Sequence, residues 1–161
     1  MKLKTIRKIN DETELNITGA TLLSIEEVVA LPYYLRAYKN WWWLRSPGRQ
    51  SYNAVLVNKG GRIYGYGYPV GIDDDAVRPV LQISNLEPTN LKIGDSIFFG
   101  EKEFEIISDE LAFCKTDIGI CCFREDCEAE DANDYEKSDI KKFVDKWFER
   151  ALKENESGKT E

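Results

Sequence analysis

The sequence predicts an α+β protein built from many short antiparallel strands and two helices, and three observations carry that expectation. Short runs of β-branched and aromatic residues alternate with Gly, Pro and Asn turn signals, the pattern of hairpins rather than of long crossovers. A stripe of Ile140, Phe143, Val144, Trp147, Phe148, Ala151 and Leu152, spaced three and four apart, marks one amphipathic helix. The chain has 161 residues, 42% of them apolar and 12% aromatic, enough to bury a core without a metal or a disulfide.

Each element follows from local chemistry. Residues 15–24 read as a strand leading into a helix. Ser24 and Glu27 have the spacing of a capping box, in which each side chain satisfies the other's free backbone N–H. Val28, Val29 and Leu31 give this helix its apolar side, and Pro32 stops it after about two turns. Residues 33–38 are expected as an aromatic loop. A strand over 41–46 ends at the Pro47-Gly48 turn, and the next, 52–58, runs into Lys59-Gly60-Gly61, where glycine permits the positive φ of a tight hairpin. The return strand is 62–68. A loop through Pro69 and Asp73-Asp74-Asp75 leads to a strand over 76–83, whose Pro79 demands an edge position or a bulge.

Residues 84–90 form a polar joint. Beyond it come strands over 96–99, 103–107, 111–114 and 118–123, with a Gly100-Glu101 turn after the first. An acidic loop spans 125–134. Ser138 is the expected N-cap of the long helix, and Asp139 complements its dipole. The expected organisation is one domain over 1–152, made of a 15–83 half and a 92–152 half, with a flexible tail at 153–161.

Charge and composition exclude whole classes of function. Lys and Arg number 22 against 29 Asp and Glu, a net charge of −7, which disfavours a global nucleic-acid footprint. There is no histidine. Ser-His-Asp and Cys-His nucleophiles and His-containing zinc sites are therefore excluded. No signal-peptide core and no apolar run of about 18–20 residues is present, so a cytoplasmic protein without a membrane partner is expected. Cys114, Cys121, Cys122 and Cys127 lack zinc-knuckle spacing and are expected as reduced thiols, some packed as small hydrophobes. Asp73-Asp74-Asp75 lacks a calcium-loop pattern and reads as a solvated turn. No glycine loop precedes a helix as a phosphate cradle would require. Glu103 and Glu105 read as exposed glutamates on an edge, and Arg45 and Arg78 as structural clamps paired with carboxylates. No catalytic residue, cofactor or metal is expected.

Two aromatic groups remain. Trp41-Trp42-Trp43 alternate in direction along a strand, and core packing is the favoured reading over a stacking platform. Tyr64, Tyr66 and Tyr68 alternate with Gly65 and Gly67, so the spacing sends all three rings to one face. A core face would carry Val, Ile or Leu. The residues fit either a ligand-contacting face, for which Tyr and Gly are favoured, or an ordinary exposed hairpin.

The segment Trp42-Trp43-Leu44-Arg45-Ser46-Pro47-Gly48, with Val77-Arg78-Pro79-Val80-Leu81 downstream and Thr21-Leu22-Leu23-Ser24-x-x-Glu27-Val28 upstream, resembles a bacterial and phage family of unknown function. That family's Trp-Leu-Arg-Ser-Pro-Gly and Gly-Val-Arg-Pro-Ala-Leu motifs imply a C-type-lectin-like fold, shared with the variable proteins of diversity-generating retroelements. Ala76 stands where the family usually has Gly, and Val80 where it has Ala. Phe99-Gly100 through Ile107, with Ser138-Asp139-Ile140 through Phe148, is similar to the family's opening but follows here instead of preceding, which reads as a circular permutation. The rival arrangement is a dimer that swaps halves.

The resemblance implies an exposed ligand surface at Gln50, Ser51, Tyr52, Asn53, Asn58, Lys59, Arg62, Tyr64, Tyr66, Tyr68, Asp73 and Asp74. The expected function is a non-enzymatic binding or display module for a protein or glycan, as monomer or swapped dimer. Two alternatives stand beside it: a phage or mobile-element effector that blocks a host protein through an acidic surface, and an enzyme akin to the formylglycine-generating oxidases, which use a cysteine pair and copper.

Overall fold

The structure, a computed structural model, describes residues 4–5, 7–8, 15–84, 86 and 89–156. It is a mixed α+β protein with antiparallel sheets and three α-helices among those residues. In chain order the elements are β1 (Lys4–Thr5), β2 (Arg7–Lys8), β3 (Asn16–Thr21), α1 (Ile25–Val29), α2 (Tyr33–Arg36), β4 (Trp42–Pro47), β5 (Asn53–Val57), β6 (Ile63–Pro69), β7 (Val80–Ile83), β8 (Ser96–Phe99), β9 (Lys102–Ser108), β10 (Leu111–Cys114), a 3-10 turn (Tyr135–Lys137) and α3 (Asp139–Glu156). They group into two compact units, and each takes segments from both the 15–83 and the 92–152 stretch.

The first unit comprises Met1–Thr21, Pro79–Thr116 and Asp145–Glu161. Its sheet has the order β1-β3-β7-β10-β9-β8-β2, every pair antiparallel. Alternation sends Ile97 and Phe99 of β8, and Phe104 and Ile106 of β9, into the core. The second half of α3 covers them. Trp147 meets Phe99 edge-on at 5.9 Å and Phe104 at 6.0 Å. Gly100 and Glu101 make the β8–β9 turn with φ of +58° and +65°, the left-handed pair that such a tight hairpin requires. A Cβ on Gly100 would stand 2.9 Å from both Trp147 and Ala151, so glycine also admits the helix.

Pro79 is not on an edge. It lies just outside β7, which is flanked by β3 and β10, and its carbonyl still accepts the Cys114 N–H at 3.0 Å. The strand begins one residue later, so no ladder donor is missing. The register shift falls on β3 instead, between Ile17 and Gly19. Glu103 and Glu105 are not an exposed edge pair either, because β9 is an interior strand. Glu105 is buried, and Glu103 pairs with Lys115 at 2.9 Å. That hydrogen bond, with one from Ser96, holds the Glu103 carboxyl below its usual range.

The second unit comprises Leu22–Arg78 and Asp117–Val144. Its three-stranded sheet has the order β4-β5-β6. The capping box forms as the sequence predicts: Glu27 N–H donates to Ser24 Oγ at 3.3 Å, and Ser24 N–H to Glu27 Oε1 at 2.8 Å. The same carboxylate takes Arg45 at 2.8 Å, the clamp expected for that arginine. Burial raises the Glu27 carboxyl, but these donors outweigh it and leave it below its ordinary value. Residues 33–36 form a helical turn, not the expected loop. Pro32 sets an extended N-cap at φ −66° from which α2 starts, so one proline ends one helix and opens another.

Residues 118–123 do not form a strand. The Asp117 carboxylate accepts the Gly119 N–H at 2.9 Å and Gly119 adopts φ +135°, which leaves only a bridge between Ile120 and Ala76. Ser138 caps α3 as expected, accepting the Lys141 N–H at 3.0 Å. The helix continues through Glu156, past the tail boundary at 153, and residues 157–161 of that tail lie outside the described residues. No helix among the described residues is long and apolar enough to cross a membrane.

Candidate functional site

The three tryptophans separate into two roles. Trp42 and Trp43 are sealed in the core, and each indole N–H finds a carbonyl at 3.0 Å, Arg36 for Trp42 and Cys121 for Trp43. Arg78, 1% exposed, places its guanidinium 4.4 Å from the Tyr38 ring and 4.7 Å from Trp42, and donates to the Leu35 carbonyl at 2.9 Å. A backbone carbonyl and two aromatic faces thus hold it, in place of the carboxylate pairing that the sequence leads one to expect. Tyr38 in turn donates its hydroxyl to the Asp117 carboxylate. This rigid block fixes where β4 begins.

Trp41, one residue before that strand, is half-buried and belongs with the tyrosines. It stacks on Tyr68 at 4.9 Å and 17°, and meets Tyr64 edge-on at 5.9 Å. Tyr64 and Tyr68 lie 5.1 Å apart. Four residues of regular strand span about 13 Å, so an uninterrupted β6 does not bring those rings together. The register explains it. Tyr64 pairs with Leu56 and Tyr68 with Ala54, so three residues of β6 bulge opposite Val55 alone. Gly67 enables this with φ +92°, and a Cβ there would lie 2.7 Å from the Ala54 carbonyl oxygen.

The single row of three rings that the spacing predicts is therefore replaced by a Trp41–Tyr64–Tyr68 cluster with Tyr66 set apart in the bulge. Arg49 lies 5.5 Å from the centre of the Tyr66 ring, and its N–H donates to the Tyr66 carbonyl at 2.8 Å. Tyr64 is 40% exposed and Tyr66 47%. Tyr68 is half-buried under Trp41.

The remaining expected residues divide by position. Ser51 and Tyr52 are exposed on the turn before β5, and Lys59 and Arg62 are exposed at the hairpin tip. Asn58, half-buried, closes that tip by accepting the Gly61 N–H on its carbonyl and the Arg62 N–H on its side chain. Gln50 is half-buried and its carbonyl takes both Asn53 N–H and Asn133 Nδ2. Asn53, at 3% exposure, does not belong to the expected exposed surface, since its carbonyl ties Gly48 and Asn133 together beneath it. Asp73 and Asp74 are exposed, whereas Asp75 is 5% exposed and its Oδ2 has no hydrogen-bond partner among the described residues. Burial, with Asp74 beside it, pushes the Asp75 carboxyl up to about 6.

Trp41 is thus not in the core with its two neighbours, and Tyr33 and Tyr34 lie not in a loop but exposed on α2. A Cβ on Gly61 would lie 3.2 Å from the Tyr33 ring, so α2 borders the hairpin tip. The exposed aromatics thus run from α2 along β6 to Tyr52.

Two other features are weaker candidates. A cavity of about 460 Å³ lies between residues 45–47 and 133–136. Three of its polar side chains are already engaged: Ser46 by the Ile25 N–H, Arg45 by Glu27, and Asn133 by two carbonyls. Among the cysteines, Cys114 and Cys122 are buried and Cys127 exposed, all without disulfides. Burial first, then Cys122, Asp139 and Glu125, pushes the Cys121 thiol up to about 11, and Cys122 is raised for similar reasons. Both are neutral thiols near pH 7, the opposite of an activated nucleophile. Among the described residues no group of three or more Cys, Asp or Glu is placed to hold a metal ion.

Comparison of the chain with protein-family models, with curated proteins and with solved structures finds no match.

Proposed function

We propose that this protein acts by binding rather than by catalysis, presenting the β6 face and its bordering aromatics to a protein or glycan partner. The observation that carries the reading is the exposure of Tyr64 and Tyr66 on a strand whose neighbour, β5, is buried at all five positions. Ordinary core economy would have turned those rings inward. Tyrosine offers a large amphipathic contact with few rotors, the property that binding surfaces select.

The scaffold in this proposal is C-type-lectin-like with its halves exchanged. Support comes from the two resembling motifs, which meet through Ala76: its N–H donates to Trp41 O at 2.8 Å, and its carbonyl accepts the Trp43 N–H at 3.2 Å. The absence of histidine and the raised thiols weigh against the oxidase alternative.

The test is the triple variant Tyr64→Ser, Tyr66→Ser, Tyr68→Ser, compared with wild type in selections from a displayed peptide library and on a glycan array. Wild type should enrich ligands that the variant fails to hold. Its melting temperature should fall by no more than about 8 °C, since the main loss is the Tyr68–Trp41 stack. A fall of twice that, with no ligand distinguishing the two proteins, would show the rings to be structural.

A further inference from the structure

The chain's charge is segregated, and the sum of −7 conceals it. Residues 33–68 hold Arg36, Lys39, Arg45, Arg49, Lys59 and Arg62 and not one Asp or Glu, although an even spread of 29 acids over 161 residues would put about six there. Arg45 is neutralised by Glu27. Lys39, Arg49, Lys59 and Arg62 are exposed, and none makes an ion pair among the described residues. These cations accompany the exposed tyrosines, whose Tyr52, Tyr64 and Tyr66 hydroxyls make no hydrogen bond among the described residues and are available as donors.

We propose that the partner of this face is an extended acidic polypeptide segment that adds to β6 as a further strand. The inference rests on the binding role proposed above and names its partner's chemistry. β6 ends the three-stranded sheet, and Tyr64, Gly65 and Tyr66 along it are exposed. A Cβ on Gly65 would meet no atom within 4 Å, so nothing crowds that position of the strand. Strand addition uses an edge's unpaired N–H and C=O groups for affinity, here those ahead of the bulge, since Arg49 already occupies the Tyr66 carbonyl, and side-chain pockets for choice of sequence. Carboxylates at alternate positions would then face the four cations and the phenolic donors. Charge complementarity favours an anionic partner, and the edge favours a peptide over a nucleic acid. A phosphodiester chain accepts hydrogen bonds but has no donors for the edge carbonyls.

Fluorescence anisotropy tests this with labelled peptides of about ten residues, one alternating Glu and Thr and one alternating Lys and Thr. The third probe is the Glu peptide with alternate amides N-methylated, and the fourth an oligothymidylate of equal length. The Glu peptide should bind saturably, and the Lys peptide and the N-methylated peptide at least about tenfold more weakly. Raising salt from ~50 to ~300 mM should weaken the Glu peptide severalfold. The charge-reversed variant Arg49→Glu, Lys59→Glu, Arg62→Glu should lose it about tenfold, with circular dichroism confirming that the variant is folded.

Equal affinity for the Glu and Lys peptides, or an unchanged affinity after N-methylation, would overturn the proposal. Tighter binding of the oligothymidylate would overturn it in favour of nucleic acid. If the selections return neutral or cationic ligands that need Tyr64 and Tyr66 while the Glu peptide stays free, the binding face stands and only the acidic-strand inference fails.

Discussion

Replacing Asp75 by Asn removes a carboxylate that the fold holds away from water with one oxygen unpartnered. Its pKa rises from 3.8 to about 6 on folding, chiefly through burial and secondarily through Asp74. The native state therefore binds this proton more tightly than the unfolded chain does. Between the two values the unfolded side chain is ionised while the folded one is still protonated, so stability falls as pH rises through that window. Above about pH 6 the full penalty is present; below about 4 it is gone. At roughly 1.4 kcal/mol per unit the ceiling is about 3 kcal/mol. An asparagine amide in the same place leaves polar atoms to satisfy, which cuts the gain to about 1–2 kcal/mol.

Urea unfolding of wild type and Asp75→Asn at pH 8, 6 and 4 measures it directly. The variant should be the more stable by that amount at pH 8, by slightly less at pH 6, and the less stable by roughly 1 kcal/mol at pH 4, where the carboxyl's penalty is nearly gone and the amide's cost remains. A difference that stays constant across the three values, or a variant that is less stable at pH 8, would refute the account of a carboxylate held against its own ionisation.

Two further substitutions probe the frame beneath the face. Gly67→Ala should cost about 2 kcal/mol or more in chemical denaturation, because its φ of +92° and the 2.7 Å approach to Ala54 O leave no room for a methyl, while Gly65→Ala should be near neutral. Equal effects would mean that the bulge is not what positions Tyr64 and Tyr68. Arg78→Met should destabilise by about 2–4 kcal/mol, read as a lowered urea midpoint, since it removes the cation held between two rings and leaves the buried Leu35 carbonyl without that donor. A loss below about 1 kcal/mol would show that the guanidinium is dispensable.

Local signals survived into the structure where one residue decides one geometry. Ser24 with Glu27, Gly100 with Glu101, Ser138 before α3, and the buried stripe of Ile140, Val144, Trp147 and Ala151 all act over three or four residues, the range a sequence displays. What escaped depends on distant partners. The β6 bulge arises from register against β5, so the even Tyr-Gly alternation misled about which rings meet. Residues 118–123 looked like a strand by composition, but Asp117 and Gly119 supplied a competing turn. Asn53 and Asp75 are polar residues in turn-rich stretches, and only packing from other segments reveals that they are sealed. The segregation of charge was visible in the sequence and vanished when averaged into one net value.

The bulge at Gly67 also bears on which residues are free to be replaced. β5 is sealed at every position and fixes the frame, whereas the residues it supports on β6 at 64–66 touch solvent. Replacing an outward ring there leaves the hydrophobic interior and its cooperative melting largely undisturbed. Substitutions at those sites therefore escape the packing constraints that hold β5, a separation of surface chemistry from foldability that a regular, two-sided hairpin would not allow.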